Sequence, residues 1–296
     1  MGSAAARRLP SDHEYVTMYF LKTNWMGGQL RVFAVLLIAT LLLAGCHSPE
    51  APVHVSGQVA GGHYEITVDD PRGITAEAIK ARVAKLSGAP DQPLYADDLA
   101  RLHKAPAGRW VAVAPGLVQL VQVAQDVGRQ SDGAVDITDG SIRNAWGIQG
   151  ARRPTAVPTA DALDAAREHS GLGLIDVRDK PPSLRKHDAK TRLALAGLGQ
   201  SDAVDQIAKV LDDMGADQYL VSLQGSLAAR GEKVGGAPWQ IGLERPAGDA
   251  KQIDRIVGLD DAAMATAGDS RRLIDIQGYR VSPSFDPRTG RPYRTR

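Results

Sequence analysis

The chain has a single cysteine in its 296 residues, Cys46, so no disulfide can form within it, whatever its redox compartment. It also lacks an excess of either charge. Its 35 Lys and Arg face 34 Asp and Glu, leaving +1 with the two signs interspersed. Nucleic-acid binding normally needs a basic face, so no nucleic-acid partner is expected. No internal repeat, zinc-ligand spacing, Walker A loop or GxGxxG is present, which argues against repeat arrays, zinc modules and the common nucleotide-binding loops. No apolar run reaches the roughly 20 residues that cross a bilayer.

What the N-terminal region does have is "VFAVLLIATLLLAGC", a shorter apolar run that suits the h-region of a signal peptide. Its end, Leu43-Ala44-Gly45-Cys46, resembles the bacterial lipoprotein signal, whose Cys is lipidated and becomes the new N-terminus. An uncleaved membrane anchor with a chance Cys is the alternative. Residues 1–25 fit no n-region well, and Met26 reads as the better start, which would leave 1–25 untranslated. The expected organisation is therefore a signal peptide over 1–45, lipidation at Cys46, a polar tether over 46–56 and a folded domain over 57–296. Acyl chains would hold this protein on a bacterial membrane, inner or outer, facing the periplasm.

Along the mature part, Tyr64, Ile66 and Val68 alternate with polar residues, a half-buried strand. Thr75 can cap a helix that carries Ile79, Val83 and Leu86 on one face, and Gly88 can end it. Leu117, Leu120, Val121 and Ala124 recur at helical spacing behind Pro115, and Thr159 opens another helix. Residues 134–150 read as a loop, and "DKPPSLRKHD" as a polar connection and the best internal boundary. "SDAVDQIAKVLDDMGAD" is the cleanest helix, with Val204, Ile207, Ala208 and Leu211 on one face and Gly215 as its stop. The strands "QYLVSL" and "WQIGLE" follow, then a hairpin through Gln277-Gly278. The mixture predicts an α+β fold with largely antiparallel sheets and packed helices, rather than a doubly wound parallel sheet.

Four groups of loop-like stretches lie beside these elements, where sites tend to be built. They are "SDGAVDITDGSIRNAWG", "LALAGLGQSDAVD", "SLQGSLAARG" with "PWQIGLERP", and "ATAGDSRR" followed by "SPSFDPRTGRP". In isolation, Asp286-Pro287-Arg288-Thr289-Gly290 is a turn, as are Asp136 and Thr138, and Trp146 is a core residue. Their order and approximate spacing, however, resemble the ApbE family of FAD:protein FMN transferases over roughly residues 57–296. The family shows Ser-x-Gly-Ala-Phe-Asp-x-Thr-x-Gly, a segment like Asp-Leu-Gly-Gly-Ile-Ala-Lys-Gly-Tyr-Ala-Val-Asp, a Gly-Gly-Asp-Leu turn, Thr-Ser-Gly-Asp and His-x-x-Asp-Pro-Arg-Thr-Gly.

The resemblance implies an ApbE-like two-part core and transfer of the FMN half of FAD to a Thr or Ser hydroxyl of a target flavoprotein. AMP would be released, with FAD as substrate and Mg²⁺ as cofactor. It places Ala134, Val135, Asp136, Gln200, Thr266, Gly268, Asp269 and Ser284 at the flavin nucleotide, with Tyr95 lining its ring. Asp286 takes the catalytic position, and the Gly197 carbonyl helps hold the metal. It also implies departures. Val135 replaces an aromatic, Ala194 an Asp, Gln200 a Lys, Ser226 an Asp and Pro283 a His. The family's C-terminal Asp and Thr metal ligands would follow Arg296, so the domain is expected to be incomplete there. A non-catalytic FAD-binding or scaffold lipoprotein of the same fold, or a truncated gene product, is the alternative.

Overall fold

The structure, a computed structural model, describes residues 50–148, 156–245, 252–268 and 273–293. The expected signal peptide, Cys46, most of the upstream half of the tether and Asp269 lie outside the described residues. Strand β1 (Val53–Val59) begins inside the expected tether, which therefore ends earlier than 56. The reason is pairing: Val55 and Val59 are buried, and the strand runs antiparallel to β2 (Gly62–Val68) along its whole length.

The fold is α+β, as expected. Five antiparallel strands lie in the order β1, β2, β6 (Tyr219–Leu223), β7 (Ser226–Arg230) and β10 (Ala262–Ala265). Helices α1 (Ala76–Val83) and α6 (Ala196–Asp212) pack on this sheet. Ile66, Val68, Val221 and Leu223 of the sheet meet Ile79, Val83, Val204, Ile207 and Leu211 of the helices. The Thr75 hydroxyl accepts from the Ala78 amide at 3.2 Å, so α1 starts at the expected cap. Gly215, at φ +84°, lets the chain leave α6 where the sequence placed its stop.

A second core forms where α3 (Pro115–Gln130) covers a three-stranded sheet in the order β3 (Trp110–Ala112), β5 (Pro182–Lys186), β4 (Ile175–Asp179). Leu117, Val121 and Ala124 of α3 pack with Leu184, Ile175 and Leu102, the last from α2 (Ala96–Lys104). This sheet corrects the expected polar connection at "DKPPSLRKHD", which is half of a β-hairpin and no boundary. Its charges mislead because Arg185 alternates with inward Leu184 and Lys186.

Two smaller clusters complete the unit. The β8 (Trp239–Glu244) and β9 (Ile253–Leu259) ribbon lies over β7 and β10 through Trp239 and Leu259. Ile142 and Trp146 of the segment around α4 (Gly140–Ala145) pack with Leu163 of α5 (Ala160–Arg167). The short helix α4 falls inside the stretch expected to be a loop. Ile276 and Phe285, from the β11 (Ile274–Ile276), β12 (Tyr279–Val281) and β13 (Phe285–Asp286), β14 (Arg291–Pro292) hairpins, close that cluster. The first hairpin turns through Gln277 (φ +54°) and Gly278 (φ +82°), as the sequence predicts. Among the described residues no helix is long and apolar enough to cross a membrane.

Candidate active site

The N-terminal turn of α6 stands at the middle of the site. The helix starts five residues before the run read from the sequence, at Ala196, because Leu195 and Leu198 bury against the second core and the Gly199 amide already reaches the Leu195 carbonyl at 2.7 Å. This moves Gly197 and Gln200 from a loop onto the first helical turns. No side chain caps this end and no acidic residue lies in its first turn, so its amides and positive dipole end are available to an anion. Gly197 is exposed with nothing within 4 Å of where a Cβ would be. Gln200 is half-buried on the same helix.

Next to this turn lies the β6–β7 connection. Gln224 and Gly225 both take positive φ there, 52° and 94°. The Gly225 carbonyl accepts from the Thr266 amide at 2.9 Å and from the Thr266 hydroxyl at 3.1 Å. A Cβ on Gly225 would stand 2.6 Å from the Thr266 Oγ1, so the close approach requires glycine. Ser226 is buried and its hydroxyl bonds that of Ser201 on α6 at 3.0 Å. Gly268 is exposed beyond Thr266, over open space.

On the other side of α6, the loop after α3 is joined to it by the Ala194 amide, which donates to the Ile137 carbonyl at 2.7 Å. Within that loop Asp136 Oδ1 accepts from both the amide (2.7 Å) and the hydroxyl (2.6 Å) of the fully buried Thr138. Burial pushes the Asp136 carboxyl above its ordinary range, against the pull of those two bonds. Ala134 is half-buried, while Val135 is 38% exposed and presents an apolar side chain to solvent.

The Asp286-to-Gly290 turn meets the same loop: the Arg288 stem lies over Gly133, and the Trp146 indole donates to the Gly290 carbonyl at 2.8 Å. An open cleft of ≈ 440 Å³ runs between them, lined by Gly133, Asp136, Arg167, Gly171, Pro287 and Arg288 among others. Both Asp286 oxygens are held by Arg288, Oδ1 by its amide and Nε, and Oδ2 by Nη2 at 2.8 Å. The Arg288 guanidinium keeps this carboxyl below its usual range, so it is ionised and engaged. Ser284 is exposed, and its carbonyl takes the Tyr293 amide at 3.0 Å.

The structure thus joins Thr266, the β6–β7 turn, α6, the 134–139 loop and the Asp286 turn in one continuous line of contacts. Tyr95 meets that line at α6. It packs against both large cores, donates its hydroxyl to Asp202 Oδ2 at 2.8 Å and accepts from Gln206 Nε2 at 2.9 Å. Burial and the Asp202 carboxylate push its phenol upward.

Sequence reading missed the pair Asp139–Arg143. Asp139 is buried, Arg143 Nε donates to both its oxygens at 2.9 Å, and Arg143 also reaches the Pro283 carbonyl at 3.5 Å. Their i,i+4 spacing was the available signal.

The donors here do not fit Mg²⁺. Among the described residues no group of three or more His, Cys, Asp or Glu side chains is placed to hold a metal. Ser201 and Ser226 offer neutral hydroxyls and Asp286 is occupied, whereas Mg²⁺ asks for near-octahedral oxygens with carboxylate or phosphate charge.

The sequence model of the ApbE family matches residues 60–296. An FAD:protein FMN transferase of Vibrio cholerae is 30% identical, the match covering 90% of this chain and 81% of that protein. One from Salmonella typhimurium is 31% identical, covering 88% and 78%. Among solved structures, the flavin transferase ApbE of Vibrio cholerae superposes with a TM-score of 0.72 at 28% identity, covering 84% of this chain and 80% of that one. The apo flavinyl transferase ApbE of Pseudomonas stutzeri gives 0.70 at 27% identity, covering 84% and 78%. With the family's sequence pattern spanning the folded part and its structures sharing this fold, the chain belongs to the ApbE family.

Proposed function

We propose that this chain is an FAD:protein FMN transferase, moving FMN from FAD to a Thr or Ser hydroxyl of a target flavoprotein. The observation that carries the reading is the uncapped N-terminus of α6, with the open Gly197 in its first turn, flanked by the Thr266 and Asp136 loops. Amides at such a helix end stabilise phosphate oxygens. In the reaction the acceptor oxygen forms a bond to the FMN phosphorus, the pyrophosphate P–O bond to AMP breaks, and AMP leaves with the bridging oxygen. The acceptor proton departs to a base. Gln200, on the same helix, donates a neutral hydrogen bond where a Lys would add charge, and charge-assisted bonds are roughly twice as strong. Val135 supplies an apolar surface to the flavin in place of an aromatic ring.

The catalytic role of Asp286 in this reading requires Arg288 to release one carboxylate oxygen. No step is assigned to Mg²⁺, since the described donors do not fit it; an assay includes the ion because the FAD pyrophosphate itself can ligate it. The proposal also keeps the chain on a bacterial membrane facing the periplasm, lipidated at Cys46, with an electron-transport flavoprotein as acceptor.

The test is to incubate the protein with FAD, Mg²⁺ and an acceptor bearing the target hydroxyl. Flavin fluorescence on the acceptor band of a denaturing gel, with AMP in the supernatant, is the expected result. The engaged Asp286 favours a second reading, a flavin binder without turnover, and saturable FAD quenching with no labelled acceptor would establish that instead.

A further inference from the structure

Lys186 is the last residue of β5, on the inward-facing side with Leu184, and its side chain is 0% exposed. A buried ammonium is costly unless its donors are satisfied. No described carboxylate bonds it. Its Nζ instead donates to two backbone carbonyls, that of His103 at 2.9 Å and that of Ala189 at 2.6 Å. His103 belongs to α2, whereas Ala189 lies on the segment that leads from β5 to α6.

The same His103 makes a second hold on that segment. Its ring Nε2 accepts from the Leu193 amide at 3.0 Å, which requires a neutral ring. The next amide, of Ala194, donates to Ile137, and α6 begins two residues on, at Ala196. Between the two holds, the buried Thr191 hydroxyl has no partner among the described residues, so this side chain does not secure the segment.

We infer that Lys186 and His103 are positioning residues for flavin transfer: together they fix residues 189–194, and through them the N-terminal turn of α6 and the Asp136 loop. This rests on the proposed function, because the turn so placed is the one that would meet the FAD phosphates. The clamp acts at a distance from the substrate, with Lys186 on carbonyls and His103 on an amide.

The experiment compares the purified wild-type protein with His103→Leu, His103→Gln and Lys186→Met. FAD binding is followed by flavin fluorescence, and exchange of the Leu193 and Ala194 amides by NMR. Glutamine keeps an acceptor for the Leu193 amide and leucine does not. The Kd for FAD is expected to rise about tenfold in His103→Leu, the scale of one lost hydrogen bond, and to return towards wild type in His103→Gln. The two amides should exchange faster in His103→Leu and stay near the wild-type rate in His103→Gln. Lys186→Met, if folded, should match His103→Leu; if it does not fold, the His103 pair still decides. A folded His103→Leu with wild-type FAD affinity would overturn the clamp while leaving the proposed function standing. A wild-type protein that binds no FAD would overturn both.

Discussion

His103 illustrates how much one side chain can link. Burial, with Arg192 and Lys186 nearby, lowers its pKa to about 4, well below the ordinary 6.5 of histidine. The sign follows from which state takes the proton first. The unfolded chain protonates this ring near pH 6.5, the folded one only near 4, so stability falls as pH drops through that window and not above it. We expect a loss on the order of 2 kcal/mol between pH 7.5 and 4.5, read from urea midpoints, and a smaller loss in His103→Gln. Equal losses in both proteins would assign the acid sensitivity elsewhere. Trp146→Phe offers a second residue-scale test. It removes the indole donor and strands the buried Gly290 carbonyl, at about 1–3 kcal/mol by denaturant titration. Trp146 was legible in sequence as a core residue, but its bond to Gly290, 144 positions away, was not. Lys186 was less legible still. In "PSLRKHD" a lysine reads as solvent-facing, and only the strand's register turns it inward beside Leu184.

At the scale of elements, α6 serves two purposes that pull on Gly197 in opposite directions. Alanine there would favour the helix by about 0.5–1 kcal/mol, since nothing stands where its Cβ would go. The same methyl would stand where the proposed function places an FAD phosphate, at the helix end. Gly197→Ala should therefore raise the melting temperature while weakening FAD binding, and a variant that gains on both counts would remove the pyrophosphate from this turn. Gly140 is constrained differently. A Cβ there would meet the Arg192 carbonyl oxygen at 2.6 Å and the Arg192 Cβ at 2.7 Å. Gly140→Ala should cost about 1–3 kcal/mol through the backbone shift it forces between α4 and the segment entering α6. Unchanged stability would show that the two segments separate freely. The caps at Thr75 and Thr159 and the Val204–Leu211 face were legible in the sequence, because they act within one or two turns. Helix α1, however, ends at Val83 and not at the expected Gly88, which leaves Leu86 beyond the helix. The starting point of α6 was not legible, because burial of Leu195, just before the helix, and of Leu198, in its first turn, against the second core sets it, with no local cap.

At the scale of the molecule, Tyr95 joins the two large cores, touching both while its hydroxyl ties to Asp202 and Gln206 of α6. Tyr95→Phe should lower stability by about 1–2 kcal/mol and leave FAD affinity unchanged if this junction is its role. Weaker FAD binding at unchanged stability would place it at the flavin site, as the family resemblance implies.

The amino-acid sequence by itself determined the family, the α+β class, the helix faces and the Gln277-Gly278 hairpin. Each depends on order along the chain or on neighbours within a few residues. Only the tertiary structure decided that "DKPPSLRKHD" is half of a hairpin, that α6 opens uncapped at Ala196, and that Asp286 is held by its own Arg288. It also decided that a buried Lys186 and the ring of His103 bond the segment that enters α6. Those features depend on burial and on partners far apart in the sequence, and hydrophobic periodicity carries no information about which distant carbonyl a buried ammonium will find.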